Sequence, residues 1–309
     1  MTITLNPAVD KTIQIDDFTV NQVNRVDTMR MDAGGKGINV SSTIKALGRK
    51  SRALAVLGGR AGTYIESVLK DQGIDLEIIK VAGETRTNLK IVDPVNHSHT
   101  DINEKGPVVS SDFENEILKK LDALIQEGDT LVLSGSILPG LTKNLYRKLI
   151  ELASAKAAYV ILDADGDQLE EALKAGPDVI KPNIHELLAL EGQSDLTETQ
   201  VVEVAKRLLS ENKVKRGILV SMGDKGALWV GTKEILKADP LKADVKSTVG
   251  AGDAMVAALA IGIEEKMTMA SMLKLATACA AERIATDGPI VMGSHKIEDL
   301  KNKVIVKPL

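Results

Sequence analysis

Residues 247–258 read Ser-Thr-Val-Gly-Ala-Gly-Asp-Ala-Met-Val-Ala-Ala, and no side chain is polar from 254 to 263. A helix without a polar face is buried on all sides, so this run predicts a core helix. Gly250 and Gly252 stand at its entrance and leave its first N–H groups uncovered. Those groups carry the positive end of the helix dipole, so the entrance predicts an anion site. Asp253 lies in the same turn. If this carboxylate only capped the helix, neither glycine would be needed, so the two glycines favour a functional role for Asp253.

Short β-branched runs alternate with helical stretches on the N-terminal side of this helix. The sequence predicts strands at 52–57, 130–133, 159–162, 179–180 and 217–220. It predicts helices at 63–71, 112–126, 142–155, 168–175 and 198–210. This alternation predicts an α/β fold with a doubly wound, mostly parallel sheet and helices on both faces.

Two segments, about 11–32 and 85–106, break that pattern because polar and apolar residues alternate with a period of two. This period is typical of a sheet with one face in water. We interpret the two insertions as one small antiparallel β-sheet that acts as a lid over a ligand cleft. The exposed face of such a sheet also suits pairing with a second subunit.

Composition excludes several classes of protein. The 309 residues include 39 basic and 43 acidic side chains and 44% apolar residues, which is the balance of a globular protein. The absence of a basic block and the six aromatic residues disfavour nucleic-acid or membrane-surface binding. The single cysteine excludes disulfides within the chain and a cysteine zinc site. No signal-peptide core or membrane span is apparent, so we expect a cytoplasmic protein.

The anion site and Asp253 together suit phosphoryl transfer. This reaction needs a base for the acceptor hydroxyl and fixed dipoles for the charge that develops on the transferring oxygens. Asp253 is the predicted general base, and the predicted donors are the N–H groups of Gly250, Ala251, Gly252 and Asp253 itself.

A second glycine-rich stretch, 33–40, reads Ala-Gly-Gly-Lys-Gly-Ile-Asn-Val and precedes a predicted helix at 41–47. Its glycines allow a ligand to approach the backbone closely. Lys36 offers a cation, and Asn39 offers a donor and an acceptor. The stretch is neither a Walker loop nor a dinucleotide fingerprint, since the spacing of both motifs is missing.

These stretches together resemble the signatures of the PfkB (ribokinase-like) carbohydrate kinases. The N-terminal signature is matched at 34–39 and the C-terminal one at 247–253, while Lys-Pro-Asn-x-x-Glu at 181–186 resembles the family's Asn-x-x-Glu element. The resemblance covers essentially the whole chain. It implies a single ribokinase-like domain, 1–309, with ATP as phosphate donor and Mg²⁺ as cofactor.

The resemblance also implies roles for further residues. Those assigned to ATP are Lys181, Asn183, Ser221, Gly223, Thr248, Gly250 and Gly252. Asn183 and Glu186 are assigned to the metal, indirectly through Mg·ATP.

The substrate implied is a phosphorylated ketohexose. The residues assigned to it are Asp10, Arg25, Gly34, Gly35, Lys36, Asn39, Arg86, Lys90 and Ser136. Asp10 belongs to 5–10, which resembles an opening strand whose aspartate binds sugar hydroxyls. Arg86 and Lys90, four residues apart, project from one strand face and suit a phosphate. Arg25 is expected to reach a neighbouring subunit's site.

The motif Thr-Asp-Ile-Asn-Glu-Lys-Gly-Pro at 100–107 favours fructose 1-phosphate as acceptor, by resemblance to the branch of the family that uses it. Tagatose 6-phosphate and fructose 6-phosphate stay open as alternatives, as does a kinase of unphosphorylated sugars or nucleosides. A binding protein that lost the chemistry is an alternative of a different class. A homodimer through the lid and the roles of Asp163 and Asp165 are left open by the sequence.

Overall fold

The computed structural model describes residues 1–193, 196–286, 288 and 293–309. The strands in this part of the chain are β1 (Thr2–Thr4), β2 (Ala8–Gln14), β3 (Thr28–Gly34), β4 (Arg52–Leu57), β5 (Asp75–Lys80), β6 (Arg86–Asp93), β7 (Ser98–Asn103), β8 (Thr130–Ser134), β9 (Tyr159–Asp163), β10 (Val179–Ile180), β11 (Gly217–Ser221), β12 (Ala227–Gly231), β13 (Ile235–Ala238) and β14 (Val306–Pro308). The helices are α1 (Lys36–Ala46), α2 (Gly59–Asp71), α3 (Phe113–Leu124), α4 (Leu145–Ala155), α5 (Gly166–Leu173), α6 (Ile184–Glu191), α7 (Glu198–Ser210), α8 (Ala251–Glu264), α9 (Met269–Ile284) and α10 (Ser294–Lys303).

The larger sheet has the strand order β14-β13-β12-β11-β10-β9-β8-β1-β4-β5. Its strands pair in parallel from β11 to β5, and antiparallel from β11 to β14. Helices α3 to α7 pack on one face, while α1, α8, α9 and α10 pack on the other. The predicted mostly parallel sheet between two helical layers is therefore confirmed.

The predicted core helix is α8, and it is buried from Asp253 to Gly262. It lies against α1 and α9 under the middle of the sheet, where its apolar side chains contact Val132 of β8 and Ile161 of β9. The N-terminus of α8 therefore opens beside the carboxyl ends of these strands. Ligands of open α/β sheets bind at that edge.

The second sheet is small, with the order β3-β2-β6-β7, and we call it the lid. The pairs β2–β3 and β6–β7 are antiparallel hairpins, as expected of the two insertions. The middle pair, β2 and β6, runs parallel, with Ala8 opposite Arg86 and Asp10 opposite Asn88. The hairpins are side by side because both leave the same edge of the main sheet in the same direction.

Several boundaries differ from the sequence-based ones. The segment 5–10 is not one strand, because a turn at 5–7 separates β1 of the main sheet from β2 of the lid. Helix α1 begins at Lys36 rather than at 41, since Gly35 is its N-cap with φ +123. Strands β12 to β14 at the antiparallel edge were not predicted from the sequence. No helix among the described residues has the length and hydropathy that crossing a bilayer requires.

Candidate active site

Asp253 lies in the first turn of α8 and is 6% exposed. Its Oδ2 accepts a 2.7 Å hydrogen bond from Nδ2 of Asn39, on the neighbouring helix α1. Burial, reinforced by the charge of Asp163, raises the pKa of Asp253 to about 6, although the bond from Asn39 opposes this rise. A carboxyl group with this pKa is largely ionised at neutral pH and is basic enough to accept a proton.

The entrance of α8 has the geometry of an anion site. Gly250 is the N-cap residue, and its φ of +82 is one that side-chain-bearing residues rarely adopt. The N–H of Ala251 is directed to the carbonyl of Thr248 over a long 3.4 Å. The amides best placed for an anion are therefore those of Gly252 and Asp253, among the first N–H groups that no helical carbonyl can reach.

Two lysines flank this entrance, and both are held by Asp163 at the carboxyl end of β9. The carboxylate lies 3.3 Å from Nζ of Lys181 and 3.5 Å from Nζ of Lys36. Although burial opposes its ionisation, the two ammonium groups keep the pKa of Asp163 below its ordinary value. A buried, ionised carboxylate thus fixes two cations beside the anion site.

Lys36 keeps its charge in this setting. Burial disfavours the ammonium, but the carboxylates of Asp163, Asp253 and Glu186 hold the pKa of Lys36 above its ordinary value. No role for Asp163 was predicted from the sequence, although its position at the end of a buried strand could have indicated a site residue. Asp165 is exposed and lines the cavity described below.

A second cluster lies on the strands of the lid. The carboxylate of Asp10 accepts a 2.9 Å hydrogen bond from Nδ2 of Asn88, across the β2–β6 pair. A Cβ on Gly34 would lie 2.0 Å from Oδ2 of Asp10, so this position leaves no room for a side chain. Burial raises the pKa of Asp10, while Asn88 and Arg86 oppose that rise. Asn88 was not predicted from the sequence as a site residue, although it lies on the same strand face as Arg86.

Arg86 lines a cavity of about 580 Å³ between the lid and the main sheet. Its Nε donates to the carbonyl of Asn6 (3.2 Å), and its Nη1 donates to the carbonyl of Glu104 (3.2 Å). Ser136, after the end of β8, lines the same cavity and accepts a 3.3 Å bond from Nδ2 of Asn6. Asn6 thus links the two sides of the cavity. No motif or residue spacing in the sequence predicted this role.

Lys90 and Arg25 lie farther from this cluster. Lys90 shares the face of Arg86 but pairs with Asp101 on β7, 3.6 Å away. Arg25 is exposed in the loop between β2 and β3. That loop is beyond the Gln14–Thr28 end of the hairpin, roughly 20 Å along the strands from Ala8 and Gly34. Arg25 therefore does not join the site of its own chain.

The residues assigned to nucleotide and metal lie around the ends of β10 and β11. Asn183 bridges to Ser221, which ends β11, and Gly223 begins the following 3₁₀ turn with φ +60. Asn183 and Glu186 form a capping box on α6: the N–H of Asn183 donates to Oε2 of Glu186, and the N–H of Glu186 donates to Oδ1 of Asn183. Thr248 is exposed on the approach to α8.

The donor set suits a magnesium ion that arrives with a nucleotide. Glu186 and Asn183 carry side-chain oxygen atoms, and Glu186 is one of the carboxylates that hold the pKa of Lys36 above its ordinary value. Mg²⁺ commonly keeps several waters and takes one or two protein carboxylates with substrate phosphates. In the described part of the chain, no three His, Cys, Asp or Glu side chains are grouped around a metal position.

This fold belongs to a known class. The sequence matches the pfkB family of carbohydrate kinases over residues 3–296, and the chain is a member of that family. It is 37% identical to a 1-phosphofructokinase of Xanthomonas campestris over 99% of this chain and 97% of that protein. It is also 35% identical to a tagatose-6-phosphate kinase of Staphylococcus epidermidis, with 90% and 89% covered.

Solved structures agree with this assignment. Phosphofructokinase-2 of Escherichia coli in complex with fructose-6-phosphate superimposes with a TM-score of 0.90 at 26% identity, covering 98% of this chain and 97% of that one. The same enzyme has been solved in a tetrameric inhibited form. The ribokinase-like architecture expected from the sequence is therefore confirmed.

Proposed function

We propose that this chain is a 1-phosphofructokinase, which transfers the γ-phosphoryl group of ATP to fructose 1-phosphate and yields fructose 1,6-bisphosphate and ADP. The observation that carries the proposal is the buried carboxylate of Asp253 at the N-terminus of α8, with Lys36 and Lys181 beside it. The names of relatives at 34–37% identity support the choice of acceptor.

In the proposed reaction, Asp253 accepts the proton of the free primary hydroxyl as that oxygen bonds to the γ-phosphorus. The bond from phosphorus to the bridging oxygen breaks, and ADP leaves. The N–H groups of Gly252 and Asp253, with Lys36 and Lys181, hold the negative charge of the transferred group. Mg²⁺ bound with ATP, near Asn183 and Glu186, would neutralise phosphate charge.

Asp10 and Arg86 hold the acceptor in this proposal. A carboxylate can accept from two adjacent hydroxyl groups, which suits Asp10 beside Gly34 to a sugar ring. The guanidinium of Arg86 suits the substrate phosphate, since planar donors bind phosphate oxygens in pairs. Ser136 supplies a hydroxyl on the opposite side of the cavity, and Lys90 adds longer-range positive charge.

Ser221, Gly223 and Thr248 are proposed to line the nucleotide. Ser221 and Gly223 follow the end of β11, and Thr248 leads into the Gly250 turn, so ATP would lie across these strand ends with its γ-phosphate at α8. Nothing in this arrangement requires nucleic acid or a membrane, and we propose a cytoplasmic location.

A homodimer through the lid is part of the proposal. Met31, Leu89 and Ile102 are aligned by strand register on the face opposite to Asp10 and Asn88. Met31 is 41% exposed and Ile102 is 52% exposed. Covering this face with a second copy would remove apolar surface from water and bring Arg25 toward the partner subunit. Light scattering of the protein and of Ile102→Glu tests this: a monomer in both cases overturns the dimer.

The deciding experiment is a coupled assay of ADP release with Mg·ATP and four acceptors: fructose 1-phosphate, tagatose 6-phosphate, fructose 6-phosphate and free fructose. We expect kcat/KM to favour fructose 1-phosphate at least tenfold, about 1.4 kcal/mol of transition-state binding. A preference for tagatose 6-phosphate would retain the mechanism and change the substrate. No turnover with any acceptor would overturn the proposed function and leave a binding protein.

A further inference from the structure

Asn6 lies in the turn between β1 of the main sheet and β2 of the lid, and it is 5% exposed. Its side-chain Nδ2 donates to the carbonyl of Lys105 (3.1 Å), to Oγ of Ser136 (3.3 Å) and to the carbonyl of Ile137 (3.4 Å). Lys105 follows β7 of the lid, whereas Ser136 and Ile137 follow β8 of the main sheet. One amide group therefore ties the segment that leaves the lid to the segment that leaves the main sheet.

The side chain of Asn6 makes these bonds as a donor only. In the described part of the chain, its buried Oδ1 accepts no hydrogen bond. A Cβ on Gly106 would lie 2.4 Å from this oxygen, so the segment that leaves the lid passes directly over it. Gly106 also has a φ of +88, which a residue with a side chain rarely adopts. The close approach of Gly106 thus limits how far the amide can turn away from its three acceptors.

The backbone of Asn6 contacts the residue that we propose binds the substrate phosphate. Its carbonyl accepts a 3.2 Å hydrogen bond from Nε of Arg86, and the carbonyl of Glu104 accepts one of the same length from Nη1. Glu104 immediately precedes Lys105, so the two carbonyls belong to the two segments that the amide joins. The guanidinium is therefore held at two points whose separation depends on that amide.

Arg86 of the lid and Ser136 of the main sheet line the same cavity. A phosphate bound by both needs them at a fixed separation, because a hydrogen bond weakens steeply outside its ordinary range of distance and angle. A displacement of about 1 Å in a positioned group can cost about 10²-fold in rate. The separation of these two side chains is the quantity that the bonds of Asn6 control.

We propose that Asn6 is a positioning residue for the phosphate of the acceptor: its amide fixes the separation of Arg86 and Ser136 by joining the lid to the main sheet. The inference rests on the proposed function and deepens it. The bonds of Asn6 within the described part of the chain reach the acceptor cavity, and none reaches Asp253 or the glycine turn of α8. Its loss should therefore affect acceptor binding more than the chemical step or the nucleotide.

The first test replaces the amide. Asn6→Ala removes the three side-chain bonds and leaves the backbone carbonyl that accepts from Arg86. Ser42→Ala is the matched control, because Ser42 is also 5% exposed and its Oγ donates a 2.9 Å bond to Oε1 of Gln72, between α1 and the end of α2. Both substitutions remove buried hydrogen bonding, but only the first concerns the acceptor cavity.

The second test leaves Asn6 in the chain. Gly106→Ala places a methyl group against Oδ1 of Asn6 and should displace the amide from its acceptors. Gly128→Ala is the matched control, because Gly128 has a similar φ of +83 and a Cβ there would meet nothing within 4 Å. The two substitutions thus impose similar backbone strain, and only one of them moves Asn6.

Thermal melting and steady-state kinetics are the readouts. We expect Asn6→Ala and Gly106→Ala to raise the KM for fructose 1-phosphate about tenfold or more, with kcat and the KM for Mg·ATP within about threefold. The kcat/KM for free fructose should change much less, because fructose carries no phosphate. The two controls should lower the melting temperature and leave every KM within about twofold.

A combined variant tests whether Asn6 acts through Arg86. In an Arg86→Ala background, Asn6→Ala should raise the KM for fructose 1-phosphate by a smaller factor than in the parent, because the guanidinium it positions is gone. Two KM increases that multiply in full would mean that Asn6 acts independently of Arg86, and would overturn the proposal.

The proposal is also overturned if Asn6→Ala keeps the KM for fructose 1-phosphate within about twofold of the parent. If Asn6→Ala does not fold, an unchanged KM in Gly106→Ala has the same meaning. A parent that binds fructose 1-phosphate in calorimetry without turnover would refute the proposed function alone, and the dissociation constants of the same variants would then decide the role of Asn6. A parent that neither binds nor phosphorylates any phosphorylated acceptor would overturn both.

Discussion

Nδ2 of Asn39 and Oδ2 of Asp253 are 2.7 Å apart, although 214 positions separate these residues in the chain. The bond joins the first turns of α1 and α8, the two helices that begin in the glycine-rich stretches. It favours the ionised form of Asp253, whereas burial and the charge of Asp163 favour the neutral form. The basicity of the carboxylate therefore depends on contacts from different parts of the sequence.

Removing the bond should shift the acid limb of the pH–rate profile. Asp253 acts as a base only when ionised, so kcat falls as the pH drops through its pKa of about 6. Asn39→Ala removes a donor that lowers this pKa, so the limb should move to higher pH. The profile of kcat between pH 5 and 9 measures this. Asn88→Ala, which removes an amide from the Asp10 cluster, is the control and should leave the limb in place.

Replacing the base should affect the chemical step. Asp253→Asn keeps the size of the side chain but cannot accept the proton, so kcat should fall about 10²- to 10⁴-fold with KM nearly unchanged. Steady-state kinetics and an ADP-binding measurement separate the two effects. Full activity in this variant would disprove the assignment of the base.

Neutralising Asp163 should produce the opposite pH shift to that of Asn39→Ala. The charge of Asp163 raises the pKa of Asp253, so Asp163→Asn should move the acid limb to lower pH. The variant also leaves Lys36 and Lys181 beside each other without their shared carboxylate. Breaking a buried ion pair costs about 3–5 kcal/mol, so the melting temperature should fall. If the folded variant kept the acid limb of the parent, the charge of Asp163 would not be what raises the pKa of Asp253.

Arg86→Ala should raise the KM for a sugar phosphate much more than it lowers kcat. A hydrogen bond to a charged group contributes about 1.5–3 kcal/mol, which corresponds to roughly tenfold or more in KM. Lys90→Ala should have a smaller effect, because Lys90 is already paired with Asp101. Free fructose is the control acceptor. Equal losses on fructose and on its phosphate esters would exclude a phosphate contact for Arg86.

Asp93 is expected to stabilise the lid in a pH-dependent way. Its carboxylate accepts N–H bonds from Asp17, Phe18, Val95 and Asn96. The side-chain amide of Asn96 first, and then the N–H groups of Asn96, Phe18 and Asp17, lower the pKa of Asp93 to about 2. The stabilisation is complete above the unfolded-state pKa near 4 and disappears as the pH falls toward 2. Thermal melts of Asp93→Asn and of the parent should therefore differ more at pH 7 than at pH 3. If the two melting temperatures differed by the same amount at pH 7 and at pH 3, the ionised carboxylate of Asp93 would not be the source of the stabilisation.

The sequence by itself determined the parts of the protein that depend on local patterns. The buried α8 follows from a run without polar side chains, the parallel strands follow from β-branched runs, and the two lid hairpins follow from period-two alternation. The glycines of 34–39 and 250–252 marked both helix entrances. In each case a short stretch sets the backbone geometry, so neighbouring residues carry the signal.

Only the tertiary structure decided which side chains meet. The bond of Asn39 to Asp253, the link from Asn6 to Ser136, and the attachment of two lysines to Asp163 each join segments far apart in the chain. The tertiary structure also placed Arg25 outside the site of its own chain and Arg283 against Gly250. The physical reason is that burial and charge act through space. The pKa of a carboxylate and the direction of a guanidinium are set by packing between elements, which residue spacing does not encode.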